Sequence, residues 1–165
     1  MARPDSDRSQ SALSRLPANA RVVAIVSSYH AEITGGMAAS AKATLIARGL
    51  DADRWEEVTA PGAYELPILA KRAVARADVD AVLCFGLVLK GETPHDVYIS
   101  QAVADGLMRV GLDAGKPVLF GLLTCNTLEQ AQRRGRTEAE GGLDKGREVA
   151  TACAEVLRGL TEIGG

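Results

Sequence analysis

The segment from Leu83 to His95, LCFGLVLKGETPH, constrains the fold of this chain more than any other. It begins with a continuous apolar run, and a second such run, RVVAIVS, covers residues 21–27. Strands that are apolar in a row, rather than alternating, are typical of parallel sheets buried on both faces. The two runs therefore predict a parallel sheet with helices above and below it.

Strand and helix patterns alternate along the rest of the chain. Residues 54–58 predict a more exposed edge strand, residues 81–89 the central strand, and VLFGLLT after Pro117 a fourth strand. Turns are expected at Gly35-Gly36, before the first helix, and at Pro61-Gly62, before a second helix that ends at about Ala77. The order βαβαβαβα predicts one doubly wound α/β layer with a four-stranded parallel sheet over residues 19–165.

The composition narrows the classes of function. A net charge of −2 and a pI near 5.7 argue against a nucleic-acid surface. No apolar run is long enough for a membrane-spanning helix, so a membrane is not an expected partner. Residues 1–18 are rich in Ser, Arg, Asp and Pro and predict a mobile tail. The three cysteines form no CxxC or Cys/His cluster, which predicts reduced thiols in a cytoplasmic protein without a metal: Cys84, Cys125 and Cys153.

Polar and aromatic residues follow each predicted strand. The carboxyl ends of parallel strands lie at one edge of the sheet, and ligands bind there in open α/β folds. These residues therefore predict a site at that edge. The segments are Ser27–His30, Ala60–Glu65, Lys90–His95 and, after the fourth strand, Thr124–Asn126 with EQAQRRGR beyond it.

The aromatic and acidic members of this set each fit two interpretations. Tyr29, Tyr64 and Phe120 lie at or close to the strand ends, where aromatic rings either sandwich a flat heterocycle or pack beneath loops. Glu65 lies in the first turn of a predicted helix. It fits a cap favoured by the helix dipole, and it also fits an acceptor for sugar-like hydroxyls.

The remaining candidates, a glycine-containing segment and three basic residues, also fit more than one interpretation. The segment Gly91-Glu92-Thr93 precedes a helix whose first N–H groups can hold an anion. Arg134 fits the second half of a phosphate clamp or an ordinary surface arginine. His95 begins that helix and fits a proton-transfer base or a structural histidine. Lys145, in the loop before the last helix, fits either a site residue or a surface residue.

Taken together, these residues resemble the 6,7-dimethyl-8-ribityllumazine synthase family of riboflavin synthesis. The resemblance runs from about Arg21 to Leu157. It implies a flavodoxin-like fold and a condensation of 5-amino-6-(D-ribitylamino)uracil with 3,4-dihydroxy-2-butanone 4-phosphate, without metal or redox cofactor. It rests on four segments in the family's order and spacing: PGAYELP (61–67), GLVLKGETPH (86–95), GLLTCNTLEQAQRRG (121–135) and DKG (144–146).

The resemblance also implies which residues meet the pyrimidine substrate. Tyr29 would stack on its ring, and Val88 and Leu89 would meet the ring edge through their backbones. The residues implied to hold the ribityl chain are Ala63, Tyr64 and Glu65.

A second group of residues is implied to meet the phosphate and the reacting atoms. His95 matches the family's proton-transfer histidine, and Arg134 its charged phosphate partner. Phe120 and Lys145 match residues that line the site from a neighbouring subunit. The segment that receives the phosphate is Gly91, Glu92 and Thr93, and Lys90 precedes it at the strand end.

Two features depart from the family's pattern. The family usually follows its histidine with Phe and then an acid, whereas here Asp96 follows His95 directly and Val97 comes next. Ten residues separate Arg134 from Lys145, more than in many bacterial members. In this family a longer insert there accompanies pentamers rather than sixty-subunit shells, so we expect a homopentamer.

Three other classes of protein compete with the enzyme. A non-catalytic flavin or lumazine carrier fits the altered residues after His95, but it has no need of the phosphate segment or Arg134. A structural shell protein fits poorly with the long insert. A generic mononucleotide binder needs its phosphate loop after the first strand, where SSYHAEITGG lacks the usual run of hydroxyl residues.

Overall fold

Four parallel strands form the sheet in the computed structural model, which describes residues 15–164. Their order across the sheet is β2-β1-β3-β4. The predicted edge strand is therefore confirmed as an edge, and the predicted central run is an interior strand. The strands are β1 (Val22–Ser27), β2 (Trp55–Ala60), β3 (Ala81–Leu89) and β4 (Val118–Cys125).

Helices cover both faces of this sheet, as the continuous apolar runs predicted. One core packs α1 and α5 against Ala24 and Leu83, and the other packs α2 and α3 against Ile25 and Cys84. Successive strand residues point to opposite faces, so each apolar run supplies both cores. This confirms the doubly wound α/β layer. The helices are α1 (Ala31–Ala47), α2 (Leu66–Val74), α3 (His95–Ala114), α4 (Leu128–Gly135) and α5 (Lys145–Gly164).

The first helix begins earlier than predicted. The pair Gly35-Gly36 lies inside α1 rather than in a turn before it, and the helix starts after His30, whose φ of 55° is left-handed. Each glycine costs a helix about 1 kcal/mol relative to alanine. Buried contacts on both sides of the pair offset this cost, because Ile33 and Met37 both belong to the core. Packing therefore overrides the local turn signal.

The second and last helices also differ from the predictions. Helix α2 starts at Leu66, four residues after the Pro61-Gly62 break, and ends at Val74 rather than near Ala77. The spacing of Val149, Cys153, Val156 and Leu160 in the sequence sets these four residues on one face of the last helix. Only Cys153 of these is fully buried. The buried face of α5 is instead centred on small residues, which let this helix approach α1. That face contains Gly146, Ala150, Cys153, Ala154 and Leu157.

The start of the chain falls partly outside the structure. Residues 1–14 of the predicted mobile tail lie outside the described residues. Leu16 is buried, and its N–H donates a 3.0 Å hydrogen bond to the carbonyl of Arg48. The chain is thus packed against the end of α1 from this residue onward. Among residues 15–164, no helix is long and apolar enough to cross a bilayer.

Candidate active site

A groove of about 400 Å³ opens at the carboxyl ends of β2 and β3 and beside the loop after β1. This is the edge at which the sequence predicted a site. Nine of the predicted site residues line it, contributed by the segments after three different strands. They are Tyr29, Ala63, Tyr64, Glu65, Val88, Leu89, Gly91, Thr93 and His95.

Hydrogen bonds join the loops that form one wall of the groove. The N–H of Ser28 donates to the carbonyl of Ala60 at 2.8 Å, and its hydroxyl donates to the carbonyl of Pro61 at 3.0 Å. These bonds tie the segment after β1 to the segment after β2. Tyr29 is therefore held beside the Pro61–Glu65 loop.

Two tyrosine rings project into this groove without being packed away. The side chains of Tyr29 and Tyr64 are 56% and 64% exposed. Tyr29 has an edge contact with the ring of His30, with centroids 4.3 Å apart. Such exposure excludes ordinary packing beneath loops for both rings in this chain, and it leaves an aromatic face available for stacking on a flat ligand.

The carboxylate of Glu65 also faces the groove. The residue precedes the first turn of α2 and makes no capping hydrogen bond with its side chain. Its Oε2 lies over Gly62, where an added Cβ would come within 3.0 Å of it. The absence of a side chain at Gly62 thus leaves room for the carboxylate, which is free to accept hydrogen bonds from a ligand.

The end of β3 and the start of α3 form the opposite wall. The N–H of Lys90 donates to the carbonyl of Cys125 at 2.9 Å, which fixes the point where the chain leaves the sheet. Gly91 and Thr93 line the groove, and His95 is the first residue of the 20-residue helix α3. The positive end of this helix dipole is therefore turned toward the groove, as is the imidazole.

Five predicted site residues do not line the groove of this chain. Lys90 and Glu92 are exposed beside it, and Phe120 on β4 is 47% exposed. Arg134 is exposed on α4. Lys145 begins α5 and forms a 2.7 Å ion pair with Glu148. The structure thus gathers the residues that follow β1, β2 and β3, while those on and after β4 lie outside the groove.

The position of Arg134 can be related to the sheet edge through Cys125. Burial raises the pKa of the Cys125 thiol, and the positive charge of Arg134 opposes this effect. Cys125 ends β4 and is bonded through its carbonyl to Lys90. The positive charge of Arg134 thus acts on the thiol at the carboxyl end of β4.

A second cavity, of about 390 Å³, lies between α2 and strands β1 and β2. Its walls include Val23, Ile25 and Val58, and its acidic residue Glu56 is already paired with Arg76 at 2.8 Å. Among residues 15–164, no group of three or more His, Cys, Asp or Glu side chains is arranged to hold a metal ion. The groove at the strand ends is thus the richer in unpaired polar groups.

Comparison with known proteins assigns this arrangement to a family. The family model of 6,7-dimethyl-8-ribityllumazine synthase matches residues 19–161. The chain belongs to this family. It is 40% identical over 147 residues to 6,7-dimethyl-8-ribityllumazine synthase 1 of Caulobacter vibrioides, covering 89% of this chain and 94% of that protein. The synthase of Rhodopirellula baltica is 42% identical over 145 residues, covering 87% and 90%.

Sequence reasoning missed three residues of the groove in this lumazine synthase family member. Asp96 and Ile99 had a usable signal, because Ile99 lies one helical turn after His95 and Asp96 is its neighbour. Leu87 gave no such signal, because nothing in the sequence distinguishes it from the other apolar residues of β3. The three are Leu87, Asp96 and Ile99, whereas Pro61 and Gly62, which also line the groove, belong to the predicted Ala60–Glu65 segment.

Proposed function

We propose that this protein condenses 5-amino-6-(D-ribitylamino)uracil with 3,4-dihydroxy-2-butanone 4-phosphate to 6,7-dimethyl-8-ribityllumazine, releasing phosphate and water. The observation that carries this proposal is the composition of one groove. Exposed aromatic rings, an unpaired carboxylate, a glycine-containing segment at a helix start and an imidazole all line it: Tyr29, Tyr64, Glu65, Gly91 and His95.

The pyrimidine substrate fits the wall formed after β1 and β2. The ring of Tyr29 stacks on the heterocycle, and the main chains of Val88 and Leu89 meet its polar edge. The hydroxyls of the ribityl chain are hydrogen-bond donors, and the Glu65 carboxylate accepts from them. The groove volume of about 400 Å³ suits a ligand of this size.

The phosphate-bearing substrate fits the start of α3. Backbone N–H groups of Gly91, Glu92 and Thr93 precede this helix, and the N-terminus of a helix favours an anion. Arg134 supplies the neutralising charge from α4, and Lys90 adds a second positive charge beside the segment. The place of Arg134 on α4, which begins three residues after the end of β4, supports this role.

The chemistry requires several proton transfers at one place. The amine attacks the ketone, water leaves to form an imine, phosphate is expelled, and the second ring closes with loss of a second water. His95 lies in the groove and can accept or donate a proton in each of these steps. Holding the two reactants together accounts for much of the remaining rate increase.

We also propose that the working form is a cytoplasmic homopentamer with its site at the subunit interface. Phe120 and Lys145 lie outside this chain's groove, which supports a role in the groove of a neighbouring copy. Exposed apolar side chains on α3, such as Met108 and Leu112, support burial against another copy. The three free, buried cysteines support a reducing compartment. Sedimentation should give five times the chain mass of 17.3 kDa.

Turnover with the two purified substrates tests the proposed activity. Lumazine absorbance and released phosphate are followed together against the spontaneous reaction. We expect both products in equal amounts at a rate well above the uncatalysed one. A folded oligomer that binds the pyrimidine but does not exceed the spontaneous rate would contradict the proposal and indicate a carrier.

A further inference from the structure

The carboxylate of Asp96 lines the groove without a protein partner. Within residues 15–164, neither of its oxygens takes part in a hydrogen bond or ion pair. The contact with Ser100 is made by the main chain of Asp96, whose carbonyl accepts from the Ser100 hydroxyl at 2.6 Å. The residue is half-buried. A partly desolvated carboxylate is stabilised only when a donor meets it, so its position favours a ligand that brings one.

We propose that Asp96 contacts the aminopyrimidine substrate and selects it by accepting a hydrogen bond from one of its N–H or O–H groups. The inference rests on the proposed function and adds a residue to it.

The geometry of α3 argues for a direct contact with the ligand. Asp96 follows His95 immediately, and neighbours on a helix point in directions about 100° apart, so they do not face each other. Ile99, three positions after Asp96, lines the same groove. Asp96 therefore lies on a face of α3 that is turned toward the groove.

The charges in the groove indicate which of the two substrates Asp96 meets. Its lining includes two carboxylates, from Glu65 and Asp96, and none of its lining residues is a lysine or arginine. A carboxylate attracts donor groups and repels a phosphate, so Asp96 disfavours an anion beside its own side chain. The aminopyrimidine carries a polyol, an amine and ring N–H groups, whereas the other substrate carries the phosphate. Asp96 therefore contacts the aminopyrimidine.

A purely structural role for Asp96 makes a different prediction. The residue lies in the first turn of α3, where the helix dipole favours a carboxylate. Loss of that interaction lowers the stability of the fold but does not distinguish the two substrates. The value of KM for each substrate separately is thus the readout that separates the two roles.

The test compares Asp96→Ala and Asp96→Asn with a matched control, Asp105→Ala, which removes an exposed acid from the same helix. Each substrate is varied in turn at saturation of the other. We expect Asp96→Ala to raise KM for the ribitylaminouracil about tenfold or more, because hydrogen bonds to charged groups are the strong ones. Asp96→Asn keeps an acceptor and should raise it less. KM for the butanone phosphate should stay the same or fall, and the control should match the parent.

Two results would overturn the inference: unchanged KM for the ribitylaminouracil in Asp96→Ala, or an increase confined to the butanone phosphate. If the alanine variant does not fold, the asparagine variant decides by the same two criteria. Calorimetric binding of the ribitylaminouracil separates this inference from the proposed function. Weaker binding by Asp96→Ala in a protein that shows no turnover would support the contact while contradicting the enzyme.

Discussion

The hydroxyl of Ser40 donates a 2.6 Å hydrogen bond to a carboxylate oxygen of Asp144, joining the middle of α1 to the residue before α5. The same oxygen accepts the N–H of Arg147 at 3.0 Å and so caps α5. Asp144 is buried, with a left-handed φ of 50°. One carboxylate thus fixes both the start of α5 and the place of Lys145 at its first position.

Replacing Asp144 by alanine should therefore destabilise the fold. The change leaves two donors unpaired and puts an alanine in the left-handed region, and we expect a loss of about 2–4 kcal/mol of unfolding free energy. Asp144→Asn tolerates that backbone and keeps an acceptor, so it should lose about 1 kcal/mol or less. Urea unfolding measures both. Equal losses for the two variants would show that charge, rather than geometry, holds this junction.

The two glycines of α5 at positions 146 and 159 provide a matched pair. A Cβ at Gly146 would meet the carbonyl oxygen of Met37 far inside van der Waals contact, whereas one at Gly159 would meet nothing within 4 Å. We expect Gly146→Ala to force α5 away from α1 and cost about 3 kcal/mol or more. Gly159→Ala should stabilise the helix by about 0.5–1 kcal/mol. Thermal unfolding distinguishes them, and a tolerated Gly146→Ala would contradict the close approach of the helices.

The imidazole of His95 should matter for rate more than for binding. We expect His95→Ala to lower kcat by about ten- to a thousandfold, since a positioned acid–base group contributes on this scale and substrate positioning supplies the rest. Added imidazole should restore part of the rate. A variant that folds and assembles like the parent with an unchanged kcat would remove His95 from the mechanism.

The ion pairs of Arg76 should make the stability depend on acidic pH. Its guanidinium donates to Glu56 at 2.8 Å and to Asp78 at 3.0 Å, and the hydrogen bond to Asp78 lowers the pKa of that carboxyl from its ordinary 3.8. Because the folded pKa lies below the unfolded one, this stabilisation is present above pH 3.8 and is lost as the pH falls through the lower value.

Asp78→Asn should consequently lower the urea midpoint at about pH 7. The difference between variant and parent should shrink as the pH falls through the lowered pKa of Asp78, below which Asp78 is protonated in both states. Since Asp78 is largely exposed, we expect a small effect that added salt weakens. A difference that grows as the pH falls would contradict this sign.

How much of the fold could be predicted depended on the kind of signal. The bounds of β3 were predicted to the residue, because its apolar run ends sharply at Asp80 and Lys90. The predicted start of α1 was wrong, because Gly35-Gly36 is a turn signal that the core packing of Met37 overrides. In the site, residues that directly follow strands were found together, whereas Asp96 was missed because its direction depends on how α3 docks.

The sequence by itself determined the class of fold and the edge at which the groove lies. Both follow from local patterns: apolar runs specify buried parallel strands, and the residues after them must meet at one edge. Only the tertiary structure decided which of those residues share a groove. Arg134 and Lys145 lie outside the groove, and Asp96 lines it. The docking of each helix fixes the direction of the side chains that the helix carries. That docking depends on side-chain packing and on close approaches such as that of Gly146 to Met37.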